Sequence, residues 1–170
     1  MKTRMLDLSI QWFFEDVEVG YKGESLGRTI SYADIVNFAN ATRDYNVIHT
    51  DKEYSKKSLV GQVMAHGPLV YSLASGLLLR TEFGTRTLKT MLDFKGVKAI
   101  KLLRPVLEDD TIVLHFEVTG KEDVDEHTGM VEMQFNIVNQ RGELAQTHTR
   151  YYLFAKRGYD FEGIAKRGSF

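Results

Sequence analysis

The chain has 170 residues, no cysteine, and a formal charge of −1 from 22 basic and 23 acidic residues. That length suits one compact domain, able to bury roughly 70% of its unfolded surface without a metal or disulfide staple. The missing thiols exclude cysteine nucleophiles, thiolate metal sites and a disulfide framework, and the balanced charge excludes the broad basic field that draws nucleic acid.

The opening run MKTRMLDLSIQWFF is interrupted by Asp7 and Gln11, so it does not read as a signal peptide. No window of 18 apolar residues occurs, which argues against a membrane-spanning helix. The expectation is a soluble, cytoplasmic protein with no membrane or nucleic-acid partner. It would form a single domain over 1–155, with a C-terminal extension over 156–170 that repeats AKRG.

Trp12, Phe13 and Phe14 lack an accompanying basic stripe and read as packing residues. The run ESLGRTI, 24–30, reads as a first strand. Ser31 followed by Asp34 resembles a capping box and opens a helix that ends near Arg43, with Ile35, Phe38 and Ala39 on its apolar face. Thr50 with Glu53 repeats that signal and predicts a short helix over 51–57. Pro68 favours a helix start, and LVYSLASGLLLR is apolar on most sides, so this helix should be central and buried on most sides. Beyond residue 88 the period falls to two. Ile112, Leu114, Phe116 and Val118 share one face, as do Val131, Met133, Phe135 and Ile137, and the runs 88–104 and 143–155 also read as strands. About five antiparallel strands around one buried helix make an α+β domain.

Five histidines are present. His115 lies on a polar strand face, His127 in an acidic turn and His148 in a strand of mixed pattern, whereas His49 and His66 each border a helix start. In Asp44-x-Asn46-x-x-His49 an irregular loop lets Asp44 and His49 converge on one water, one group removing a proton and the other donating one. Asn46 could orient a substrate or an acid. Read alone, the string fits an interhelical turn better. At His66-Gly67-Pro68 a free N–H at a helix start would favour developing negative charge. Read alone, a capping glycine beside a buried histidine is the plainer account. Between Arg86 and Arg104 six basic residues face only Asp93, a run that could meet nucleotide phosphates or be a solvated face. No phosphate-binding loop and no metal-binding spacing occurs.

Taken together, D-x-N-x-x-H, E-Y-S-K-K-S, A-H-G-P-L and L-L-R-P-V, in this order and spacing, resemble the MaoC-like dehydratase family, as do F-E-D-V-E-V-G, G-R-T-I-S and A-D-I-V-N-F-A upstream. The resemblance covers about residues 13–155 and includes the (R)-specific enoyl-CoA hydratases. It implies a hot-dog fold and a homodimer or higher oligomer. It also implies an acyl-CoA or acyl-carrier-protein thioester as substrate, and reversible hydration of a trans-2-enoyl thioester to the (3R)-hydroxyacyl thioester. No metal or other cofactor is implied. Asp44 and His49 fall on the family's catalytic pair, Gly67 on its oxyanion-hole glycine and Ser75 on a serine that helps shape that site, and Asn46 and His66 beside them are expected to bind the substrate. Two positions depart from the usual S-G-D-x-N-P-I-H: Arg43 precedes Asp44, where it could pair with it, and Val47 replaces a proline. A thioesterase, or a non-catalytic acyl-thioester-binding regulatory protein of the same fold, are the competing expectations.

Overall fold

The structure, a computed structural model, describes residues 10–162. Residues 1–9 of the opening run and residues 163–170 of the expected extension lie outside it. After a single 3-10 turn at Phe14–Asp16 come β1 (Lys22–Glu24), β2 (Arg28–Thr29), α1 (Tyr32–Thr42), α2 (Val47–Thr50) and α3 (Lys52–Ser55). Then follow α4 (Gly67–Leu79), α5 (Glu82–Arg86), β3 (Met91–Leu102), β4 (Thr111–Asp123), β5 (Thr128–Asn139) and β6 (Leu144–Ala155).

The strands form one antiparallel sheet in the order β1-β4-β5-β6-β3, with β2 also on β4. The sheet thus has six strands where about five were expected. The run 24–30 breaks at Ser25, whose N–H donates to Leu114 O and whose hydroxyl accepts from Leu114 N–H, and it continues as two short pieces on the same neighbour. The period-two faces hold. Ile112, Leu114, Phe116 and Val118 of β4 and Val131, Met133, Phe135 and Ile137 of β5 are all buried. Each such side chain contributes roughly 1.5–3 kcal/mol of apolar burial.

Against this face lies α4, burying Leu69, Val70, Ala74, Leu77 and Leu78. It is less enclosed than its composition suggested. Ser72, Ser75, Gly76 and Leu79 remain exposed, because the sheet wraps only one side of the helix. Phe14 is buried, and Trp12 packs edge-on against Tyr21 and Phe83, so these two N-terminal aromatics join the core. The Ser31–Asp34 capping box forms as expected, and α1 ends at Arg43 in the left-handed region, φ 66°.

β6 differs from its neighbours. Counting back by two from buried Phe154, its inward face carries Tyr152, Arg150, His148 and Gln146. Gln146 Nε2 donates to Gly67 O at 3.1 Å, and Arg150 Nη2 donates to Tyr71 O at 2.6 Å, both on α4. Arg150 Nε donates to His148 Nε2 at 2.9 Å, so His148 is neutral there. Burial, helped by the adjacent guanidinium, pushes the His148 pKa down to about 3.

A folded value below the ordinary 6.5 means that the unfolded chain takes up this proton first. The associated stability is therefore whole above pH 6.5 and is lost as pH falls toward 3. Urea titrations from pH 7 to pH 4 should show this decline. His148→Gln, which keeps an acceptor for Arg150, should flatten it.

Candidate active site

Three short devices set the Asp44–His49 loop. Arg43 closes α1 in the left-handed region. Asp44 Oδ1 then accepts from Asn46 N–H at 3.2 Å, and Asn46 Oδ1 accepts from Ile48 N–H at 3.2 Å, capping α2. Asn46 is thus a helix cap through its Oδ1. The next cap is Asp51, which accepts from Glu53 and Tyr54 N–H. The Thr50 box expected from sequence does not form, since the Thr50 hydroxyl turns back to Tyr45 O and Asn46 O and α3 covers only Lys52–Ser55.

α2 carries His49 inward until it is nearly buried. Its Nδ1 meets Met64 O at 2.7 Å. A carbonyl only accepts, so Nδ1 carries a hydrogen, and in the neutral ring the lone pair is then on Nε2. His66, the residue before α4, is buried and stacks on His49 with ring centroids 3.8 Å apart. Phe38 lies 5.1 Å from the His66 ring. His66 Nε2 donates to Asp44 O at 3.0 Å and lies 3.9 Å from Asp44 Oδ2. Asp44 itself is exposed. Arg43 does not pair with it and points to Tyr45 OH at 3.5 Å.

The tertiary structure therefore gathers Asp44, His49 and His66. One ligating atom from each falls within 4.8 Å of the others, a span a divalent ion could bridge. Gly67 follows directly as the first residue of α4, where its N–H has no acceptor within the helix. It also lines an apolar cavity of about 270 Å³ with Met64, Val70, Leu102, Pro105 and Gln146. A Cβ at Gly67 would sit 2.5 Å from Leu102 Cδ1, so the glycine keeps this wall open.

Ser75 is not part of the gathering. Two turns along α4, it accepts from Arg150 and lines a different cavity. The basic run after Arg86 is partly spent in pairs of Arg86 with Glu82, Lys95 with Asp93 and Arg104 with Glu143, while Lys89, Lys98 and Lys101 stay exposed.

Sequence reading missed Gln146. It is buried, donates to Gly67 O, lines the cavity, and leaves Oε1 without a protein partner. The one signal for it was its even register with Tyr152 and Phe154 on β6.

The family described as "MaoC like domain" matches residues 16–139. An (R)-specific enoyl-CoA hydratase of Rhodospirillum rubrum is 32% identical over 108 residues, covering 64% of this chain and 70% of that protein. Protein MaoC of Klebsiella aerogenes is 32% identical over 100 residues, covering 59% of this chain and only 28% of its own length. Among solved structures, an Archaeoglobus protein described as a monoamine oxidase regulatory protein is 37% identical with a TM-score of 0.80, covering 86% of this chain and 95% of the other. A Mycobacterium tuberculosis protein with a double hot-dog fold superposes with a TM-score of 0.72 over 88% of this chain and 46% of its own, at 16% identity, which speaks for the fold alone.

Asn46→Ala should cost about 1 kcal/mol in urea unfolding, the usual worth of an N-cap, and Asn46→Ser should restore most of it.

Proposed function

The chain belongs to the MaoC-like dehydratase family and has the hot-dog fold, and from this we propose that it hydrates trans-2-enoyl thioesters of CoA or acyl carrier protein to (3R)-hydroxyacyl thioesters. The observation that carries the reading is His49. Its Nδ1 meets Met64 O, a ring nitrogen lies within 4.8 Å of an Asp44 carboxylate oxygen, and its ring stacks on His66, the residue before Gly67 of the cavity wall.

In this mechanism the thioester carbonyl accepts from Gly67 N–H. That contact stabilises the enolate-like charge, a donor of this kind being worth about 2.7–4 kcal/mol. Asp44 and His49 Nε2 hold one water. As its oxygen bonds to C3, His49 Nε2 takes a proton and then returns it to C2 on the same face, so that the elements of water are added with nothing left over. Gln146 fixes the Gly67 peptide through its carbonyl. The acyl chain takes the apolar cavity, and Lys98 and Lys101, exposed on β3, would supply charge for the CoA phosphates. No metal or redox cofactor enters the scheme.

A thioesterase would not need a proton carrier at C2, and a regulatory binder would need neither Asp44 nor the His49 lone pair. The relative named as a hydratase favours the lyase.

We also propose that the active form is a homodimer joined through β3. This strand ends the sheet with one edge unpaired among the described residues, and Phe94, Val97, Ile100 and Leu102 are exposed on it. Such an edge invites pairing, and a second copy offers the same edge in two-fold symmetry.

With crotonyl-CoA, the loss of enoyl absorbance should be fast in the wild type. Asp44→Asn and His49→Gln should each cut kcat by about 10²–10⁴, and the double variant should be little worse than either. Wild-type turnover in either single variant would end the assignment. EDTA dialysis should leave the rate unchanged, whereas loss restored by a divalent ion would make Asp44, His49 and His66 metal ligands.

In sedimentation equilibrium the wild type should have twice the chain mass and Val97→Lys the chain mass. A monomeric wild type would refute the dimer.

A further inference from the structure

The second cavity holds a charge that the described residues leave unanswered. Arg150 is 1% exposed, and among the described residues no carboxylate lies within ion-pair distance of it. Every acceptor it has is neutral. Nε donates to His148 Nε2, Nη1 to Ser75 Oγ at 2.6 Å and to Tyr152 OH at 3.2 Å, and Nη2 to Tyr71 O. The guanidinium also lies over the Tyr71 and Phe135 rings, 4.4 and 4.7 Å from their centroids. Ring faces and neutral oxygens moderate a buried charge, but a buried cation without an anion is costly.

The hydrogens show where the answer would sit. Ser75 and Tyr152 hydroxyls both accept from Arg150, so each has its own O–H left to donate. A guanidinium has five N–H groups, and one on Nη2 remains after these contacts. Burial raises the Tyr152 pKa and keeps that phenol protonated. Ser75, Arg150 and Tyr152 together line a cavity of about 270 Å³ whose other walls are Tyr71, Leu78, Leu79, Met91 and Phe94. The site therefore offers donors and one positive charge within apolar walls.

We propose that this cavity binds an aliphatic carboxylate, its anionic end taken by Arg150, Ser75 and Tyr152 and its hydrocarbon body by Leu78, Leu79, Met91 and Phe94. The carboxylate is either a free short-chain acid or the far end of an acyl chain carried as a thioester. Binding here does not depend on the hydratase reading, and the test below reads binding rather than turnover.

Hexanoate should raise the melting temperature saturably by a few degrees, while hexanamide at equal concentration and ionic strength should not. Arg150→Lys keeps the charge and loses the fork, so it should weaken hexanoate at least about tenfold. Ser75→Asp places a carboxylate against Arg150 from within the chain. It should raise the melting temperature and abolish the hexanoate response, and so it remains informative if Arg150 variants fail to fold.

If hexanoate is silent but adipyl-CoA binds at least tenfold tighter than hexanoyl-CoA in calorimetry, and Ser75→Asp removes that preference, the carboxylate is the end of an acyl chain. The proposal is overturned if hexanamide equals hexanoate, if a folded Arg150→Lys binds hexanoate undiminished, or if Ser75→Asp is destabilised. It is equally overturned if neither hexanoate nor adipyl-CoA is preferred over its uncharged counterpart.

Discussion

The structure depends on the way β6 holds α4. Gln146 and Arg150, two turns of pleat apart on one strand, reach up to the carbonyls of Gly67 and Tyr71 one helical turn apart. Each carbonyl has a second lone pair to give, so the helix is fixed along its axis at little cost to its own ladder. Apolar contact alone would let α4 slide or rotate over the flat faces of β4 and β5, because dispersion and area burial are not directional. The two directed bonds fix where Gly67 stands, and with it the wall of the cavity.

The arrangement also fixes the register of the sheet. A slip of β6 by one residue would turn Gln146, His148 and Arg150 outward and leave Tyr71 O and Gly67 O without these donors. Buried polar groups carry a penalty when unmet, so such a slip is strongly disfavoured. Neutral His148 is part of the same economy. It accepts from Arg150 and cannot itself be charged beside it. The penalty that remains, a guanidinium with no anion in the described chain, falls at an open cavity rather than in the sealed core, which is where a ligand can relieve it.

The histidine cluster is assembled differently, from short turns held by caps. Asp44, Asn46 and Asp51 each hold the N–H groups that follow them, and Arg43 takes the left-handed turn. The result brings His49 against His66 from a loop seventeen residues upstream, with Met64 O setting the tautomer and Phe38 beside the pair. Val47, standing where the related motif has proline, starts α2 and is exposed, so the stiffness is supplied by Asn46.

Spacing along the chain was enough for the inward faces of β4 and β5, the Ser31 cap, the central helix from Gly67 and Pro68, and the D-x-N-x-x-H and A-H-G-P-L strings, which lie within the span matched to the family. These are properties of spacing, and spacing is local. That Asp51 and not Thr50 caps α3 was not legible, because both residue types accept N–H bonds and the Thr50 hydroxyl is drawn to Tyr45 O and Asn46 O only once α2 has formed. Nor were the roles of Gln146 and Arg150. The strand that carries them has a mixed pattern, and only the closure of α4 over β6 makes their face the inward one. Tertiary structure likewise separated Ser75 from the histidines, since which side chains share a cavity depends on how the helix crosses the sheet and not on their distance along the chain.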